Sequence, residues 1–92
     1  MKRQIFIRMH AAKRMLEREI SIDEIESVVE TGEVIEEYPK DEPFPSRLLL
    51  GWPARRPLHV VAADDDTDNI THVITAYLPN PEKWDDEFKR RK

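Results

Sequence analysis

Four side chains in the second half of the chain, Arg47, His59, Thr75 and Tyr77, have the types that a metal-free attack on a phosphodiester requires. A histidine titrating near neutrality moves a proton, an arginine neutralises the phosphate, and a tyrosine supplies a hydroxyl donor. Cleavage by that route needs a base for the ribose 2′-hydroxyl, an acid for the 5′ leaving oxygen and cations for the charge that develops on phosphorus. His59 and Tyr77 are the candidates for proton transfer and Arg47 for the phosphate, with Thr75 beside them. A structural role stands alongside. Leu49, Val61 and Val73 fall on the same expected face and call for cover by a helix or a partner, which would leave His59 and Tyr77 half-buried with ordinary hydrogen-bond partners.

His10, Arg14 and Arg18 recur every four residues and so lie along one edge of a helix, bordering its apolar stripe. They are placed to rim a groove and contact RNA phosphates. Equally, the arginine stems can lie over the core edge while their heads pair with Glu17, Glu24 or Glu37. Metal chemistry finds little support. No histidine pair has the spacing of a helical metal site, and the run Asp64-Asp65-Asp66-Thr67-Asp68-Asn69 lacks the glycine and terminal glutamate of a calcium loop. With 0 Cys there is no thiol nucleophile, disulfide framework or thiolate metal site. No glycine-rich phosphate loop and no hydrolase elbow is present, so no cofactor or metal is expected.

The length of 92 residues fits one domain spanning 1–92, and 39% hydrophobic against 37% charged residues describes a core beneath a heavily ionised surface. A chain of this size buries only roughly 60–65% of its unfolded surface, which makes a homodimer or a complex an expectation. The net charge of -4 conceals an uneven distribution. Residues 1–16 hold five bases and no acid, whereas 17–42 hold 11 acids against 2 bases. Such asymmetry permits a local basic surface for phosphates or an acidic partner. The opening stretch is interrupted by Arg8 and far shorter than the roughly 18 residues of a membrane span, and it does not resemble a signal peptide; a cytoplasmic protein is expected.

The elements that must position these residues follow from periodicity. Ala11, Ala12, Met15 and Leu16 make the stripe of a helix over 9–18. Ser21 with Glu24 forms a capping box for a second helix with Ile22, Ile25, Val28 and Val29 inward, and Gly32 sits where a C-terminus favours a left-handed residue. The period then changes to two, predicting strands at 34–38, 47–52, 58–64 and 70–78 in an antiparallel meander. Asn80, Pro81, Trp84 and Phe88 predict a short third helix. The expected fold is α+β in the order ααββββα.

Register assigns the faces. Leu58 is expected opposite Ala76, Val60 opposite Ile74 and Ala62 opposite His72, with Leu48, Leu50 and Trp52 opposite Ala62, Val60 and Leu58. The helices would then cover that apolar face. Arg47, Leu49, Gly51, His59, Thr75 and Tyr77 would share the other, and a slip of one residue would invert the arrangement.

The sequence also carries a likeness to a known family in His10-Ala11-x-x-Arg14-Met15-x-x-Arg18, Ile20-Ser21-x-x-Glu24-Ile25, Thr31-Gly32-Glu33-Val34-Ile35-Glu36, Pro57-Leu58-His59-Val60-Val61 and Val73-Ile74-Thr75-Ala76-Tyr77, with Pro81-x-x-Trp84. On these residues the chain resembles domain-of-unknown-function family 4258, which in turn resembles the BrnT-type members of the RelE/ParE toxin superfamily. Glu19 stands where such chains usually have Gly between the first two helices. The resemblance implies a toxin-like component of a bacterial toxin–antitoxin pair, a metal-independent endoribonuclease in activity, bound by a cognate antitoxin encoded nearby. The competing expectation is a non-catalytic interaction module that docks a partner through its open sheet face.

Overall fold

The computed structural model describes residues 3–92. Strand β1 (Gln4–Ile7) leads into helices α1 (Met9–Arg18) and α2 (Ile22–Thr31), followed by β2 (Glu33–Tyr38), β3 (Ser46–Gly51), β4 (Leu58–Asp65) and β5 (Ile70–Tyr77). The architecture is α+β. The strands make one mixed five-stranded sheet in the order β1-β5-β4-β3-β2, four of them the expected meander. The fifth, β1, was not anticipated: four residues carry too little alternation to declare a strand, and the pairing is parallel, Ile5 to Thr71 and Ile7 to Val73.

Each helix is made locally and buried by one stripe. Ala11 and Met15 of α1 and Ile25 and Val28 of α2 are buried against Leu49, Leu58, Val60, Ala62, Val73 and Ala76 of the sheet. The capping box is present in full: Ser21 Oγ accepts from the Glu24 amide, and Glu24 Oε1 accepts from the Ser21 amide. Between the helices Glu19 adopts φ 55°, the left-handed region, and the Ile20 amide returns to the Met15 carbonyl at 2.9 Å. Gly32 departs from expectation. Its φ of -68° is extended, and its glycine identity answers a close approach instead, because a Cβ there would lie 2.4 Å from the Val28 carbonyl oxygen.

The expected third helix is absent. Asn80 Oδ1 accepts from the Glu82 amide, and Asp85 Oδ1 accepts from the Glu87 and Lys89 amides. Asp85 thereby takes two amides that a helix would have bonded to the Lys83 and Asp85 carbonyls, and Phe88 at φ 60° turns the chain back, so that residues 79–92 form a folded loop lying on the sheet.

Two register shifts correct the expected faces. Strand β3 pairs one residue out from the expected alignment, Leu50 opposite His59 and Leu48 opposite Val61, so Leu48 and Leu50 point away from the helices while Arg47, Leu49 and Gly51 point toward them. A connection from Trp52 to Pro57, with Ala54 and Arg55 both left-handed, absorbs the difference. A Cβ on Gly51 would come within 2.7 Å of Val28 Cγ2, the close approach that α2 requires. Between β4 and β5 a bulge falls where Val61 opposes Thr75 but Ala62 opposes Val73. Beyond it Thr71 and Val73 turn inward and His72 outward, the reverse of expectation.

Replacing Glu19 by Gly removes a side chain from a left-handed residue and is expected to stabilise the domain by about 0.5–1 kcal/mol. Thermal denaturation should show the rise, and an unchanged or lower Tm would contradict the assignment. Gly51→Ala is expected to cost about 1–3 kcal/mol through overpacking. Val28→Ala should cost less in that background than alone, because the two side chains compete for one space.

Candidate functional site

On the face away from the helices, β4 and β5 bring two of the proposed catalytic residues together. His59 and Tyr77 are directly paired across the strands, one step closer than the diagonal relation expected of them. His59 Nδ1 lies 3.1 Å from the Tyr77 hydroxyl and Nε2 lies 2.8 Å from the Phe88 carbonyl oxygen. A carbonyl can only accept, so Nε2 carries the hydrogen and Nδ1 accepts from the phenol. The Trp84 indole stands edge-on to the imidazole with centroids 4.5 Å apart. His59 is 0% exposed.

The loop of residues 79–92 supplies this cover, and its charged side chains close a network that the sequence reading did not find. Arg91 donates to Glu36 through Nε at 3.3 Å and Nη2 at 3.4 Å, and its guanidinium sits 4.6 Å from the Trp84 ring centroid. Tyr38 donates its hydroxyl to the same carboxylate. Glu36 gave no signal within an acidic run, and Arg91 lay in a basic tail with no sign of its destination.

The electrostatics follow from that enclosure. Burial pulls the His59 pKa below its ordinary value and outweighs the Phe88 carbonyl and Glu36, which favour the imidazolium. Burial raises Tyr77. Burial and the Glu36 carboxylate push Tyr38 up to about 12. Glu36 is held below the usual carboxylate range, first by the Tyr38 hydroxyl and then, against the burial that opposes it, by Arg91. The result is a neutral histidine bonded to a neutral tyrosine beneath an ion pair. Its Nδ1 lone pair is the one basic position, and it is already in use.

The remaining candidates lie elsewhere. Arg47 is on the helix side of the sheet, bonded to Asp64 Oδ2; Asp64 Oδ1 in turn accepts from Thr71 Oγ1 at 2.8 Å. The one-residue shift of β3 separates it from His59, so no arginine of the strands meets the histidine. Thr75 opposes Val61 rather than His59. His10, Arg14 and Arg18 are exposed on α1, with Arg14 paired to Glu17 at 3.0 Å, one of the structural arrangements open to it. Beside them runs a groove of about 510 Å³ lined by Ile7, Ala12, Met15, Leu16, Ile20 and Ile22. Leu16 is 84% exposed there. Among the described residues no group of three or more His, Asp or Glu is placed to hold a metal ion, and no helix is long and apolar enough to cross a membrane.

The family model described as Domain of unknown function (DUF4258) matches residues 7–78, a span that holds both helices, all of β2 to β5 and the His59–Tyr77 pair. No curated protein matches the chain, and no solved structure does.

The pH dependence of folding tests the buried histidine. Its depressed pKa means that the folded state binds fewer protons than the unfolded chain, so its stabilising effect is complete above the ordinary value of 6.5 and is lost as pH falls below it. The lowered Glu24 and Glu36 act in a separate window, below 4.5. Stability is expected to decline between pH 6.5 and 5, and in His59→Gln that decline should be absent. A decline of equal size in both proteins would place the titrating group elsewhere.

Proposed function

The chain belongs to the DUF4258 family, and from that premise and the geometry above we propose that it is a protein-interaction module whose partner is an antitoxin-type protein encoded nearby. One observation carries the non-catalytic reading. Both ring nitrogens of His59 are occupied and the ring has no exposed surface, so a phosphodiester has no path to it in this conformation. Residues 79–92 cover the part of the sheet face around His59 that was first considered for docking, and an apolar groove lies on the helix side. There the groove lies along α1, whose exposed charged residues are Lys13, Arg14 and Arg18 against the single acid of that helix, Glu17. An amphipathic helix with an apolar stripe and acidic flanks complements that surface in both respects.

A second reading is favoured by a specific distance: the 3.1 Å between His59 Nδ1 and the Tyr77 hydroxyl. It is a toxin-like endoribonuclease in which these two residues exchange protons with RNA while His10, Arg14, Arg18 and Thr75 contact phosphate. Arg47, turned to the opposite side of the sheet and bound to Asp64, has no part in it.

The two readings separate in one set of measurements. Leu16→Asp changes an exposed residue and is expected to leave folding within about 0.5 kcal/mol of the parent. Its affinity for the product of the neighbouring gene should fall at least ten-fold; unchanged affinity would sink the groove assignment. Expression of the chain alone is expected to leave growth unaffected, and the purified protein to leave RNA intact in the presence of a chelator. Growth arrest together with chelator-resistant cleavage lost in His59→Gln would establish the second reading in place of the first.

A further inference from the structure

Residues 79–92 have an unusual bonding pattern. Their backbone hydrogen bonds close within the segment: Lys83 and Trp84 amides to the Asn80 carbonyl, Asp85 to Arg90 at 2.8 Å, Phe88 to Asp85 at 3.0 Å and Lys92 to Lys83 at 2.9 Å. The one ladder contact, Trp84 with Arg91, is also internal. Among the described residues no backbone-to-backbone bond joins this loop to a strand. It is a folded unit held on the sheet by its side chains and by the Phe88 carbonyl, which accepts from His59 Nε2 at 2.8 Å, and it begins just beyond the span matched by the family model.

Those side chains make a defined set of contacts. Trp84 is 4% exposed and meets His59, Phe88 lies edge-on to Trp52 at 5.8 Å, Arg91 reaches Glu36, and Lys89 reaches Glu33 at 3.2 Å. Opposite them the sheet presents a floor of Leu48, Leu50 and His59 with two carboxylates along β2. The floor is apolar at its centre and acidic along one edge. The loop matches it, with Trp84 first and the cations Lys89 and Arg91 five and seven positions later.

We propose that this loop is a detachable strap, and that the face beneath it is a binding surface for a partner segment of the same chemistry: an aromatic residue followed by basic residues. The strap is then the built-in competitor of that segment. Because it is tethered, it acts at an effective concentration on the order of millimolar, which a free segment overcomes only when the strap is weakened. Lifting it needs no strand to break its ladder. The proposal is independent of the partner groove on α1, which lies across the sheet from it.

A fluorescein-labelled peptide with the sequence of residues 79–92 provides the probe. It is added to the full chain and to a full chain carrying Trp84→Ala and Arg91→Glu. The variant is expected to bind the peptide at least ten-fold more tightly than the parent, and a peptide with its own Trp84→Ala change is expected to lose that binding. Equal affinity for both chains, or no binding by a variant whose circular dichroism shows an intact sheet, overturns the proposal. So does preferential binding of a single-stranded RNA of similar length, which would make the face a nucleic-acid surface. If the variant does not fold, amide exchange of the parent decides. The amides of Trp84, Phe88 and Lys92 are expected to open together, at least ten-fold more readily than those of β4, and exchange of strap and β4 in a single step rejects a detachable strap.

Discussion

Val28 of α2 rests on the bare Cα of Gly51, and the orientation of β3, the strand that ends there, is fixed by that contact. A Cβ at Gly51 would stand 2.7 Å from Val28 Cγ2, so only a glycine can present this position to the helix at this distance. Once Gly51 points toward α2, alternation sends Leu49 into the core and Leu50 to the opposite side. Leu50 is then opposite His59, and the two begin the floor on which residues 79–92 lie. The same parity carries Arg47 to the helix side and into its bond with Asp64. One close approach thus decides which residues can meet in the candidate site and which cannot.

Residues 79–92 complete what that parity begins. Leu48 and Leu50 leave an apolar surface on the side without helices, and a polar pair, His59 with Tyr77, sits in its midst. Burying a histidine without partners is costly, and the loop supplies them: a carbonyl from Phe88 for one nitrogen while the phenol serves the other. Trp84 excludes water above the ring. The ion pair of Arg91 with Glu36 at the margin is of the weakly stabilising, salt-sensitive kind, so the apolar contacts hold the loop and the charges align it.

Much of the fold was legible, for reasons that are local. The capping box of α2, the spans of both helices and the change to strand period all depend on neighbours within a few residues, and each is where the sequence places it, whereas Ala12, Leu16 and Ile22 of the expected stripes are exposed. The outward direction of His59 and its nearness to Tyr77 also survived, because the error in the β4–β5 alignment was an even step near that end. What was not legible is non-local. The direction of β3 depends on Val28 meeting Gly51 and on two left-handed residues at Ala54 and Arg55, neither of which has the Gly or Asn that would announce it. The bulge between Val61 and Ala62 has no sequence mark. The third helix failed through the opposite cause, as Asn80 and Asp85 carry strong local signals that satisfy turns as well as they satisfy a helix start. Glu36 and Arg91, 55 residues apart, meet only once both register and loop are known.

The parallel pairing of β1 with β5 has a consequence for how the molecule is born. Gln4 pairs with Ile70, so β1 waits for β5, the last of the described strands, to be made. At the usual 5–20 residues per second the interval is roughly 3 to 13 s. Throughout it Ile5, Phe6 and Ile7 have no strand beside them, and the sheet is completed by a contact between distant parts of the chain, the slowest kind to form.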